Sequence, residues 1–191
     1  DAYRDAALIL DIGTFGARYS DVESVAEIGV DTWLDEQFSM PISLHEPIVR
    51  RYAAQYGFDN QDSPIPVGQF RRFAFFENAL TAPDQLRQVT AYALTQLFVV
   101  SQTGVLGNNP LGLSSYYDTL LTHSFGNYRD LLRAVTLHPA MGFYLSHVNN
   151  GKTDPDANTF PDENYAREVM QLFTIGIYEL KPDGTQKLDT D

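Results

Sequence analysis

Glu163, Asn164, Arg167 and Glu168 fall within six consecutive residues of Pro161-Asp-Glu-Asn-Tyr-Ala-Arg-Glu-Val-Met-Gln-Leu-Phe-Thr-Ile-Gly176, the densest group of side chains in this chain that could do chemistry. An arginine of this kind can orient an anionic group through its fixed donors, and Glu168 or Glu163 can act as a base. The same spacing also describes an ordinary solvated helix face. Glu163 and Arg167 stand four apart with the acid first, the favourable order for a one-turn ion pair, and Asn164 precedes Glu168 by the same interval. Both readings stay open on the residues alone.

A second candidate lies just upstream. Asp154, Asp156 and Asn158 alternate along a turn-rich loop and are followed by Asp162 and Glu163, offering oxygen ligands of the kind calcium takes. The loop is not an EF-hand, because Thr159 stands where that loop needs glycine and Tyr165 where it needs a bidentate glutamate. The alternative is a turn in which Asp and Asn side chains bond their own backbone. The four histidines, His45, His123, His138 and His147, show no paired zinc spacing, and His138 suits the end of the helix before it. No nucleophile elbow, phosphate loop or dinucleotide fingerprint is present in the sequence.

The elements that must position these groups read as helices almost throughout. Helical patterns run from Ala2 to Ile12, from a capping box at Ser20-Asp-Val-Glu23 to Gly29, over Asp31 to Phe38, and from a second box at Ser43-Leu-His-Glu46 to Gly57. Phe15, in the Gly13-Thr-Phe-Gly16 turn, reads as an anchor. Residues 58–67 read as a loop. Phe70, Phe73, Phe76 and Leu80 then form one apolar stripe and Leu86, Val89, Ala93, Leu97 and Val100 a second, predicting a central helical hairpin. After a connector at 101–112 come helices over Leu113–Phe125 and Tyr128–Leu137, the latter capped by Asn127, with a break at His138 before Pro139. The polar helix is expected over Pro161–Gly176, with Tyr165, Ala166, Val169, Met170, Leu172 and Phe173 facing inward. Lys181-Pro-Asp-Gly-Thr185 is a turn between Ile177-Tyr-Glu-Leu180 and Gln186-Lys-Leu188 and predicts a short β-hairpin. The fold class is therefore all-α, an irregular multi-helix orthogonal bundle with one short hairpin near the C-terminus and with Trp33, Phe73, Leu97 and Phe173 buried.

Composition bounds the function further. The 191 residues suit one domain, and 43% hydrophobic and 13% aromatic residues exclude a disordered chain. A net charge of -12 repels nucleic acid and anionic membranes, and no apolar run is long enough for membrane insertion. The absence of cysteine excludes thiol nucleophiles and is compatible with export. The chain opens at Asp1 without a leader pattern, as a processed or trimmed chain would.

Four segments together resemble the bacterial family catalogued as domain of unknown function 1800. They are Ala7-Leu-Ile-Leu-Asp-Ile-Gly-Thr-Phe-Gly16, Gly29-Val-Asp-Thr-Trp-Leu-Asp-Glu-Gln-Phe38, His138-Pro-Ala-Met141 with Tyr144-Leu145, and above all Glu163-Asn-Tyr-Ala-Arg-Glu-Val-Met-Gln-Leu-Phe-Thr-Ile-Gly176. Gln171 departs from the acid the family usually carries there, and Ile12 from a more polar residue. The resemblance implies an exported periplasmic or extracellular protein and carries no agreed activity. It also implies that residues 1–191 form one helical domain, the N-terminal portion of a larger protein whose C-terminal remainder packs against it. Two functions are then expected. One is a scaffold or interaction domain, with another exported protein as a candidate partner, in which Glu163, Asn164, Arg167, Glu168 and His138 form a structural polar network. The other is a hydrolase-like enzyme whose site the C-terminal half completes, with Glu163, Arg167 and Glu168 as catalytic candidates and calcium as the candidate cofactor.

Overall fold

The computed structural model describes residues 1–58 and 65–187 and is helical, with ten α-helices among the described residues. They are α1 (Ala2–Gly13), α2 (Tyr19–Ile28), α3 (Val30–Ser39), α4 (Glu46–Tyr56), α5 (Phe70–Thr81), α6 (Gln85–Leu97), α7 (Pro110–His123), α8 (Tyr128–Leu137), α9 (Pro139–Tyr144) and α10 (Asn164–Gln171). The loop expected over 58–67 falls mostly on residues outside the described ones. No strand is present among the described residues. The expected hairpin reduces to one antiparallel bridge between Leu180 and Gln186 around a turn closed by the Gly184 N–H on the Lys181 carbonyl. Leu188, at the end of its second arm, lies outside the described residues.

The centre of the fold is α7 and not the expected pairing of α5 with α6. Asn109 caps it, its side chain accepting from the Gly112 N–H at 2.8 Å, and Pro110 opens its first turn where no N–H is needed. Leu113, Tyr116, Tyr117, Leu120 and Leu121 are all buried, and Ser114 and Asp118 with them, so the helix is enclosed on several sides. Helices α4, α5, α6, α8 and α9 pack against it. The largest core cluster joins α7 to Phe98, Leu131, Val135, Met141, Tyr165 and Phe173. A second cluster sits beneath α4 and α5 around Val49, Ala53, Phe70 and Ala74.

The N-terminal helices form a third cluster from Ala6, Leu10, Val25 and Trp33. Gly13 ends α1 where the Trp33 ring passes. A Cβ there would stand 3.0 Å from the indole and 3.2 Å from Leu86, so glycine is what lets α1, α3 and α6 close together. Phe15 anchors the following turn, its ring edge-on to Phe75 and Tyr92 at 5.5 and 5.8 Å.

Several expected faces are rotated. The inner face of α5 is Phe70, Ala74 and Asn78, while Phe76 and Leu80 are exposed and Phe73 is half-buried. The inner face of α6 carries Arg87, Gln88 and Ala91, and Leu97 is half-buried. Trp33 and Phe173 are buried as expected. The physical reason lies in the polar residues of these inner faces, which apolar periodicity cannot find. Neither capping box forms as read. Asp21 rather than Glu23 takes a backbone donor at the start of α2, that of Arg18, and no local side chain caps α4.

This packing makes a direct expectation for stability. Phe70→Ala, which empties a fully buried site, should cost about 3–5 kcal/mol, whereas Phe76→Ala should stay within about 0.5 kcal/mol in chemical denaturation. Equal losses would restore the originally expected stripe.

Candidate functional site

Helix α10 is shorter than Pro161–Gly176. Pro161 and Asp162 stay outside it, and Asp162 instead accepts the Asn164 N–H at 2.9 Å while exchanging two hydrogen bonds with Asn150 at 2.7 and 2.8 Å. Tyr165 and Phe173 are buried and Val169 lies half-buried between them, whereas Met170 and Leu172 point outward. Arg167 and Glu163 form the expected one-turn ion pair, but the side chains are 51% and 79% exposed, so solvent screens it. Glu168 is half-buried, with Oε2 enclosed and without a hydrogen-bond donor.

His138 sits elsewhere. Its Nδ1 accepts the Ala140 N–H at 3.1 Å and its Nε2 lies 3.4 Å from the Ser115 hydroxyl. It therefore caps the start of α9 and not the end of α8, a role that needs the neutral ring, and burial lowers its pKa accordingly. Among the described residues no hydrogen bond or ion pair joins His138 to Glu163, Asn164, Arg167 or Glu168. The sequence pattern missed His147 here, whose ring lies tilted 33° against Tyr165 at 4.1 Å while both residues bond Thr136.

In the acidic loop, Asp154 Oδ1 accepts the N–H groups of Asp156 and Ala157, both at 3.1 Å, and Asp154 pairs with Thr159 across a bridge. This is a turn held by its own aspartate. Among the described residues no group of three His, Asp or Glu side chains is placed to hold a metal. Calcium titration tests the loop directly. The turn is closed by backbone hydrogen bonds to Asp154 Oδ1, so an unchanged melting temperature in millimolar calcium is the expected result, whereas a rise would establish a cation site.

The interior holds a polar cluster that the sequence analysis did not find. Asp118 of α7 reaches the start of α4 and accepts the His45 and Glu46 N–H groups at 2.7 and 2.9 Å, supplying from a distance the cap that α4 lacks locally. The His45 ring stacks on Tyr117 at 4.2 Å and its Nε2 lies 3.1 Å from Gln88 Oε1. The Ser43 peptide is enclosed on both sides. Its N–H donates to fully buried Asp84 at 3.0 Å, and its carbonyl accepts from Asn78 and Gln88 at 2.9 Å each. Arg87 closes the group, 4.0 Å from Asp84, donating to the Leu121 and Phe38 carbonyls and lying over the Phe125 ring at 4.4 Å. A sequence signal existed in Asp84, just before α6, and Arg87 and Gln88 in its first turn, three and four residues on and therefore on the same side.

Burial drives the electrostatics of this cluster. It lowers His45 to about 4, with the bond to Gln88 opposing, and raises Asp118 to about 6 against the pull of its two backbone donors. His45 is thus neutral near pH 7. The two shifts act oppositely on stability. Asp118, raised when folded, contributes stability that is complete below its unfolded pKa near 3.8 and is lost as pH rises through about 6. His45, lowered when folded, contributes stability that is complete above 6.5 and is lost as pH falls through about 4. Relative to Asp118→Asn, the wild-type protein should therefore lose about 2–3 kcal/mol between pH 4 and 6 in denaturation experiments. A difference that grows with pH would show that the two N–H groups outweigh burial.

These features define an all-α domain whose enclosed polar groups are tied into its packing and whose most distinctive helix lies open to solvent. The chain belongs to the family described as protein of unknown function (DUF1800), whose model matches residues 9–186. No curated protein and no solved structure matches it.

Proposed function

We propose that the protein is an exported helical scaffold, periplasmic or extracellular, that docks through the surface built by its last third. The observation that carries this reading is the concentration of large exposed apolar side chains there. Leu137, Phe160, Leu172, Ile175 and Ile177 are each more than 60% exposed, beyond what single scattered surface residues explain. They lie at the end of α8 and in the segments flanking α10. A surface depression of about 670 Å³ along α8, lined by Arg129, Arg133, Thr136 and Leu137, adjoins α10 through the Thr136–Tyr165 hydrogen bond. Further helices of the same protein are the proposed occupant, as the family resemblance implies. Covering this face would also enclose Glu163 and Arg167, turning a screened pair into a buried one.

Groups that could do acid and base work favour the scaffold over the hydrolase. His45 and Asp118, whose proton affinities are strongly shifted, are enclosed and bonded to backbone or amide groups, which leaves no face for a substrate. The exposed carboxylate of Glu163 is engaged by Arg167.

Two measurements test the docking surface. Arg167→Ala should cost residues 1–191 only about 0–1 kcal/mol, because the pair is exposed, and about 3–5 kcal/mol in a chain extended through the family's further helices. Leu172→Asp with Ile175→Asp should likewise leave residues 1–191 within about 0.5 kcal/mol and destabilise the extended chain by more than about 2 kcal/mol. Small equal losses in both chains would remove the docking reading. Loss of a hydrolytic activity without loss of stability would establish the enzyme.

A further inference from the structure

Arg71 of α5 lines a cavity of about 370 Å³ between α5, α6 and α7, together with Phe75, Tyr92, Gln96, Phe98 and Tyr117. A guanidinium half-buried among aromatic rings ordinarily faces a carboxylate, because taking it from water is otherwise uncompensated. Arg71 does not. Among the described residues it takes part in no ion pair, and the charge beside it is that of Arg72. Its Nε–H is enclosed without an acceptor, and Nη2 makes one long bond of 3.4 Å to Gln102 Oε1. Gln102 is itself fixed by a 2.7 Å bond to the Gly68 carbonyl, so the arginine is held in place without being neutralised.

Arg87 shows how the same fold treats an arginine that serves only packing. Its Nε–H likewise lacks a hydrogen-bond acceptor, but that side chain has a carboxylate at 4.0 Å, two backbone carbonyls and an aromatic face. Arg71 stands beside an open cavity instead.

We propose that this cavity binds a small organic monocarboxylate with an apolar or aromatic body, its carboxylate on Arg71 and its body among Phe75, Tyr92 and Val99. One cation surrounded by apolar rings is the donor set for such a ligand. Dianions and polyanions fit poorly. Among the described residues Arg71 is the only charged one lining the cavity, and the chain carries a net charge of -12 that opposes further negative charge. This site is independent of the docking surface, which lies on other helices.

The test uses benzoate as probe in isothermal titration, with benzyl alcohol as the neutral ring and inorganic phosphate as the ring-free anion. Benzoate should bind saturably with Kd at or below about 1 mM, and benzyl alcohol should bind at least about tenfold more weakly. Phosphate should not displace benzoate. Arg71→Gln should abolish benzoate binding while circular dichroism stays helical. If that variant does not fold, ¹⁵N spectra of the wild-type protein replace it, with the Arg71 Nε–H signal assigned by its absence in Arg71→Lys. A shift of that signal with benzoate and not with benzyl alcohol supports the site. No saturable binding, binding unchanged in Arg71→Gln, an unmoved Arg71 signal, or displacement by phosphate would each overturn it.

Discussion

The start of α4 is held by a carboxylate from another helix, and much of the interior depends on that contact. A helix begins with N–H groups that have no partner within it, and an enclosed start must find acceptors elsewhere. Asp118 supplies two from the middle of α7, so α4 can form only where α7 already stands. The Ser43 peptide just before it is similarly enclosed, with Asp84, Asn78 and Gln88 drawn from α5, α6 and the turn between them. Four segments are thereby fixed to one another by bonds that cannot be exchanged for water. Leaving any one of these donors unmade would cost more than the bond contributes when made, which gives the arrangement its specificity.

The N-terminal helices are attached by the same device. Gln37 of α3 donates to the Pro83 carbonyl and accepts from the Leu86 N–H, both at 3.0 Å, bridging the turn that opens α6. Around that polar bridge the contact is apolar, with Trp33 against Gly13 and Leu86. One side chain thus satisfies backbone groups at the start of α6 while the indole supplies the buried area. The lobe is held in orientation by the first and in energy by the second.

How much of this was legible follows from which physical signals reach the sequence. Helix existence was legible, because starts and stops are local: Asn127 caps α8, His138 before Pro139 is extended, and Gly29 and Gly57 end α2 and α4 at positive φ. Helix orientation was less so. The apolar stripe from Phe70 to Leu80 and the one from Leu86 to Val100 were drawn on the assumption that inward means apolar, while Asn78, Arg87 and Gln88 are the residues actually enclosed. Nothing local reports that Asp118 will meet His45, since that bond spans 73 residues of chain. On the site, the Glu163–Arg167 pair was legible from its spacing, and its exposure was not. His138 was legible as a cap, but which helix it caps depended on the tautomer and on the neighbouring Ser115.

The contrast between the two polar groups bears on what α10 is for. In the cluster around Ser43 and His45, the side chains of Asp84, Gln88 and Asp118 are each answered by a partner from a distant segment, as structural polar groups in a folded domain must be. On α10 the Tyr165 hydroxyl reaches Thr136, but the charged side chains are answered locally or not at all. Glu163 has only Arg167 one turn away, while Glu168 Oε2 is enclosed with no donor. The apolar neighbours behave likewise, with Tyr165 and Phe173 in the core and Met170, Leu172 and Ile175 in solvent. A helix that is half answered in both its polar and its apolar groups has the character of an element shared between two packing units. Under the docking proposal a packed helix face would add apolar area over Met170, Leu172 and Ile175, while Glu168 Oε2 is already enclosed by this chain.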